Sequence, residues 1–167
     1  MKKNITIICL SNEYKKNIAK QLALELDMFY ADINDIMEYN LINSEMLEKA
    51  GQQYYDENEA KTIKTVSGYD DTILTLNLST LNKSNYLDII KQNSLIIYIR
   101  LDFETFMNLN KAENSKALVK INEIAFDDRD KLISSFADII VENKYIDVTR
   151  TIKQIIEGIE KFFYKKN

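Results

Sequence analysis

Apolar positions along the chain fall into two rhythms. Residues 4–10 form a nearly unbroken apolar run, with Ile5 and Ile7 to Leu10 around one threonine. That is the pattern of a strand covered on both faces of a parallel sheet. Over residues 16–26 the spacing changes to Ile18, Leu22 and Leu26, with Ala19 and Ala23 beside them; positions four apart stack on one side of an α-helix. The alternation continues. Further strands are predicted at 28–31, 72–76, 94–99 and 137–141. Helices are predicted around Ile36 and Met37, over 44–50 with Gly51 as its end, onward through Tyr54, Tyr55 and Ile63, and at 86–90, 103–109 and 123–135. Ile152, Ile155, Ile156, Ile159, Phe162 and Phe163 mark one face of a last helix. Strands alternating with helices imply an α/β protein with right-handed crossovers. No internal repeat or linker divides the chain, so residues 1–167 read as a single domain, and the polar stretch 110–116 reads as a loop.

Composition narrows the chemistry. Hydrophobic residues make up 46% of the 167 positions and the formal charge is -4, which is ordinary globular balance with no polybasic surface. A nucleic-acid partner is therefore not expected. No run is long enough to span a bilayer and no signal-like segment opens the chain, so a cytoplasmic setting is expected, without a membrane partner. The absence of histidine removes the usual imidazole acid–base group. With one cysteine as well, no structural zinc site is expected; Cys9 reads as a small buried hydrophobe. Proline is absent and glycine occurs only three times.

The first strand runs into CLSNEYKK, residues 9–16, and then into a helix. This stretch admits two readings. In one, Ser11 or Asn12 caps the helix, Glu13 sits in its first turn, and Lys15 is a solvated surface lysine. In the other, the helix N-terminus still binds an anion, with Ser11, Asn12, Lys15 and Lys16 around it. Downstream, Asp32-Ile33-Asn34 places a carboxylate and an amide where either a helix cap or a binding role is open. Gly51-Gln52 and Tyr55-Asp56 follow, then Leu76-Asn77-Leu78 after the strand at 72–76, Lys116-Ala117 in the polar region, Arg129-Asp130-Lys131-Leu132-Ile133, and Ala137-Asp138.

In order and spacing these segments resemble the shikimate kinase family over nearly the whole chain. The resemblance implies a three-layer α/β/α, nucleoside-monophosphate-kinase-like P-loop fold with a five-stranded parallel sheet. It implies transfer of the ATP γ-phosphate to the 3-hydroxyl of shikimate, with magnesium, and a lid, here residues 110–118. The departures are as informative. The family loop is GxxxxGK[ST]; here Cys9 and Tyr14 occupy the glycine positions and Lys16 the hydroxyl position, and only Lys15 is kept. Asn34 replaces a carboxylate, and Asp56 replaces the arginine that clasps the substrate carboxylate. Arg129 falls on the second such arginine, and Lys116 on the lid arginine.

Bulk at the glycine positions obstructs a backbone that must curl around phosphate. Lys16 offers no oxygen to magnesium, and Asp56 turns attraction for a carboxylate into repulsion. The expectation is a shikimate-kinase-like protein with weak or absent activity, retaining at most binding of a small anionic metabolite or nucleotide. No cofactor or metal is firmly expected, and a protein partner is not specified. The alternative is an active divergent kinase using ATP and magnesium. On that alternative Lys15 and Asp32 are catalytic, Ser11, Asn12, Lys15, Lys16 and Lys116 hold nucleotide, and Asn34 and Arg129 hold substrate.

Overall fold

The computed structural model describes residues 3–40, 42–76, 84–112 and 123–164. Five strands, β1 (Asn4–Cys9), β2 (Phe29–Asp32), β3 (Thr72–Thr75), β4 (Ser94–Leu101) and β5 (Ile139–Asn143), form one parallel sheet in the order β2-β3-β1-β4-β5. Among the described residues eight helices connect them: α1 (Asn12–Glu25), α2 (Ile33–Tyr39), α3 (Ser44–Ala50), α4 (Gln52–Ser67), α5 (Ser84–Asn93), α6 (Phe103–Ala112), α7 (Glu123–Phe136) and α8 (Val148–Tyr164). The five predicted strands and the helices between them are all present. α1 begins at Asn12, four residues before the start at 16 that the apolar repeat predicts. α6 runs through Asn110, Lys111 and Ala112, which their polarity assigns to a loop. The rest of the predicted lid, including Lys116, lies outside the described residues.

Two compact units divide the chain. The first comprises Met1–Thr6 and Ala23–Leu95. Its core is built from Ile33, Met37, Ile63, Val66, Ile73, Leu74 and Ile90, all nearly inaccessible. Within it β2 pairs with β3 from Phe29–Thr72 to Asp32–Thr75. Two turns carry Asp27 and Asp71 at φ 52° and 51°, left-handed positions that aspartate tolerates better than most residues. The glycine-poor chain thus turns there without glycine. Asn4 anchors the start of β3, its amide oxygen accepting from the Thr72 N–H at 3.1 Å.

The second unit comprises Ile7–Leu22 and Ile96–Asn167. Ile7, Ile8, Ile18, Leu22, Ile96–Ile99 and Ile155 are buried, and Phe103, Phe106 and Phe126 pack with ring centroids 5.0–6.2 Å apart. β4 and β5 pair in parallel from Ile97–Ile139 to Leu101–Asn143. Asp138 sets that register: its N–H donates to the Ile96 carbonyl at 2.8 Å and its carboxylate accepts from the Ile96 N–H at 2.9 Å.

Candidate functional site

Only Leu10 and Ser11 separate β1 from α1, and both are buried. The Lys15 N–H donates to the Ser11 carbonyl at 3.2 Å, an i to i−4 bond that closes the first turn. Asn12, Glu13 and Tyr14, which stand at loop positions of the family motif, are therefore already helical. Left-handed backbone outside glycine occurs, among the described residues, at Asp27 and Asp71 and not between Cys9 and Lys16. Alternating left- and right-handed residues are one way of building a concave anion nest, and this segment has no such alternation. The Asn12 Oδ1 is buried without a hydrogen-bond partner among the described residues. As an acceptor it has nothing to offer a phosphate oxygen.

Tyr14 shows what replaced the second glycine. Its side chain is buried, and its phenol meets Thr151 Oγ1 of α8 at 3.0 Å and Asn143 Nδ2 of β5 at 2.6 Å. Proton directions in this cluster follow by elimination. The Thr151 hydroxyl donates to the Asp147 carbonyl at 2.7 Å, so its oxygen accepts from the Tyr14 phenol and from Asn143 Nδ2 at 2.6 Å. Asn143 Nδ2 also donates to the phenol oxygen, while its Oδ1 accepts from the Tyr145 N–H at 3.2 Å. Every polar atom of the three side chains is used. Burial drives the Tyr14 phenol above its ordinary pKa, with Thr151 and Asn143 opposing the rise. The tyrosine joins α1 to β5 and α8; it is not an obstruction left over an empty loop.

Lys15 departs from the solvated surface lysine of the capping reading: it is only 2% exposed. It follows Tyr14 on the inward side of α1's first turn, and that position buries its stem. A buried ammonium requires compensation, so Lys15 belongs to the internal structure. Lys16 is half-buried beside it, and Ser11 is fully buried.

In the first unit Asp32 caps α2. Its Oδ1 accepts from the N–H groups of Asn34 and Asp35 at 3.0 and 3.1 Å, and its Oδ2 accepts from Thr75 Oγ1 at 2.5 Å. The Tyr30 hydroxyl stands 3.3 Å from the same Thr75 oxygen. Asp32 is 2% exposed, with most of its acceptor capacity taken by the protein. Asn34 is half-buried in the first turn of that helix. Asp56, at the family's arginine position on α4, accepts from Gln52 Nε2 at 2.8 Å. Leu76 is buried, and Asn77 and Leu78 lie outside the described residues.

The acidic run around Arg129 is not uniformly solvated. Asp127 and Asp128 are exposed, but Asp130 is buried and bound by Arg100 of β4. Arg100 Nε lies 3.0 and 3.1 Å from the two Asp130 oxygens and its Nη2 2.6 Å from Oδ2, a forked pair, while Nη1 reaches Glu142 at 3.1 Å. The Tyr98 hydroxyl donates to the same Asp130 carboxylate at 2.9 Å. Burial, reinforced by that carboxylate, pushes the Tyr98 phenol far up, and Asp130 does the same to the Arg100 guanidinium. Arg129 is half-buried on α7, with no ion pair among the described residues. Thr75, Tyr98, Arg100, Asn143 and Thr151 carry these networks, and no local motif distinguishes them in the sequence.

The donor set does not fit magnesium nucleotide held in the family's manner. The hydroxyl position is a lysine, Asp32 is committed as a cap, and no cluster of three or more metal-ligating side chains occurs among the described residues.

A five-stranded parallel sheet with a helix following its central strand places the chain in the P-loop kinase class of α/β folds. The sequence profile described as shikimate kinase matches residues 14–160, beginning inside the loop segment. The chain belongs to the shikimate kinase family. It is 26% identical to a shikimate kinase of Dictyoglomus turgidum (strain DSM 6724 / Z-1310), with 95% of this chain and 98% of that protein covered. It is 22% identical to one of Sulfurihydrogenibium sp. (strain YO3AOP1) over 120 residues, 71% of this chain and 72% of that protein. Among solved structures, shikimate kinase from Aquifex aeolicus vf5 superimposes with TM-score 0.75 at 20% identity, covering 95% and 96% of the two chains. Shikimate kinase from Acinetobacter baumannii in complex with shikimate gives 0.80 at 15% identity, covering 96% and 94%. Among the described residues no helix is long and apolar enough to cross a membrane.

Proposed function

We propose that this chain is a single kinase-like domain whose phosphoryl transfer to shikimate is weak or absent, and whose remaining small-molecule capacity is binding of an anionic metabolite or nucleotide in the cytoplasm. One observation carries the reading: α1 begins at Asn12, and Tyr14 is fastened to Asn143 and Thr151. The N–H groups of Asn12, Glu13 and Tyr14 precede the first closing bond, from Lys15 N–H to the Ser11 carbonyl, and so stay open at the helix start; a straight helical start with no left-handed residue does not curl them into a nest around a triphosphate. Asp56 at the substrate-clasping position, facing a carboxylate with like charge, supports the same conclusion.

Purified protein given shikimate, ATP and magnesium is expected to release ADP no faster with shikimate than without it. Thermal-shift titrations with ATP, ADP, shikimate and phosphate separate a residual binder from a scaffold. Shikimate-dependent ADP formation at an ordinary kinase rate, on the order of 1–100 per second, that disappears in Lys15→Ala would overturn the proposal.

That outcome would establish the active-kinase reading, which the burial of Lys15 favours. A lysine kept inside the protein at the family's phosphate-binding position can still act as a point charge. On this reading Lys15 and Asp32 act on the transferred group. Ser11, Asn12, Lys16 and Lys116 contact nucleotide, and Asn34 and Arg129 contact shikimate. ATP and magnesium are then required.

A further inference from the structure

The first unit contains a cleft of about 320 Å³ among α2, α3 and α4. Its α4 wall is Tyr54, Asn58, Lys61 and Thr65, spaced four, three and four residues apart and so on one stripe of the helix. At 3.6 residues per turn, Lys61 lies roughly 140° around the helix from Asp56. The cleft therefore opens on a different face of α4 from the family's acceptor position. Its apolar floor includes Ile42 and Val66, both buried.

Charge and hydrogen-bonding capacity define what the cleft would take. Among the described residues its lining holds one lysine and no carboxylate, in a chain where 26 acids outnumber 22 bases. Among the described residues the Lys61 ammonium has no ion-pair partner, and the Tyr54 and Tyr69 hydroxyls have no hydrogen-bond partner. The neighbouring threonines differ. Thr62 and Thr65 donate back to the carbonyls of Asn58 and Lys61 at 3.0 and 2.9 Å, which leaves them only as acceptors. Uncommitted donors thus stand over an apolar floor, the composition of a small-molecule site. At ~30 Å³ per water-sized atom the space takes roughly ten heavy atoms.

We infer that this cleft binds a small monocarboxylate carried on a planar apolar ring. The carboxylate meets Lys61 and the tyrosine hydroxyls, and the ring lies on Ile36, Ile42 and Met46, apolar lining residues that keep accessible surface. One cation matches one negative charge; a phosphate monoester would bring a second without a partner. The inference is independent of whether phosphoryl transfer occurs.

Benzoate and its neutral counterpart benzamide test it by amide-detected NMR titration of the full chain. Benzoate is expected to shift the resonances of Tyr54, Lys61 and Tyr69 and to bind roughly tenfold tighter than benzamide. Lys61→Gln, at an exposed position, should erase that tenfold preference. Thr65→Trp, also exposed, should block both ligands while leaving the spectrum of the remainder of the fold unchanged. Equal binding of acid and amide, no shifts at these residues up to millimolar ligand, or undiminished binding in Thr65→Trp would each overturn the assignment.

Discussion

Removing the Tyr14 hydroxyl probes the substitution that separates this chain most sharply from its family's loop. In Tyr14→Phe the ring stays buried and α1 keeps its packing. Asn143 Nδ2 retains Thr151 Oγ1 at 2.6 Å, but its second N–H loses the phenol oxygen inside a buried cluster. An unsatisfied buried donor costs about 1–3 kcal/mol. At ~2–4 °C per kcal/mol for a chain of this size, the melting temperature should fall by about 2–12 °C. Thr151→Val removes the node shared by both partners and should cost more. Urea denaturation followed by circular dichroism gives each free energy. The double variant should show a coupling of about 0.5–3 kcal/mol between Tyr14 and Thr151. Additive effects, or a Tyr14→Phe change within ~0.3 kcal/mol of zero, would refute the claim that this hydroxyl fastens α1 to β5 and α8. The same geometry predicts that Tyr14→Gly, which restores the family residue, destabilises further. It leaves a cavity worth about 3–5 kcal/mol and adds a helical glycine worth ~1 kcal/mol. Restoring one loop residue therefore removes a structural tie before it restores a phosphate site.

The other predictions concern separate parts of the fold. The Tyr98 phenol titrates near its ordinary 10.0 when unfolded but is held protonated by burial and Asp130 when folded. Its stabilisation is thus complete below pH 10 and lost as pH rises above it, because the unfolded chain then binds fewer protons; Tyr98→Phe should flatten the alkaline decline in denaturation midpoint. Asp130→Asn strips the buried partner from Arg100, whose side chain is 41% exposed. Solvent screening reduces the usual 3–5 kcal/mol of a broken buried pair to about 1–3, measurable by urea titration. Gly51 sits at φ 85°, ψ 168° with open space where a Cβ would stand, so Gly51→Ala should lower stability by about 1–3 kcal/mol through backbone strain alone, read from the same urea titration. Asp32→Ala uncaps α2 and strands Thr75 Oγ1, with an expected loss of about 1–2 kcal/mol for the cap alone; Asp32→Asn should recover part of it.

Apolar periodicity made the five strands and most helices legible, because burial on one face is recorded locally at intervals of two or 3.6 residues. The order of surviving motif positions, from Lys15 to Arg129, pointed to the family for the same reason: each is a short-range pattern. The altered chemistry at Cys9, Tyr14, Lys16 and Asp56 was equally open to local reading. The partners of the altered and surviving side chains were not legible. Tyr14 meets Asn143 across 129 positions, and Asp130 meets Arg100 across 30; no local spacing encodes either. Lys15 is the sharpest case. As one cation in a run of polar residues it reads equally as solvated or functional, and only the packing of α1 decides that it is buried. Residue type and local rhythm determined which elements form, since those depend on neighbours along the chain. Tertiary structure decided which polar groups satisfy one another, since desolvation and hydrogen bonding depend on neighbours in space.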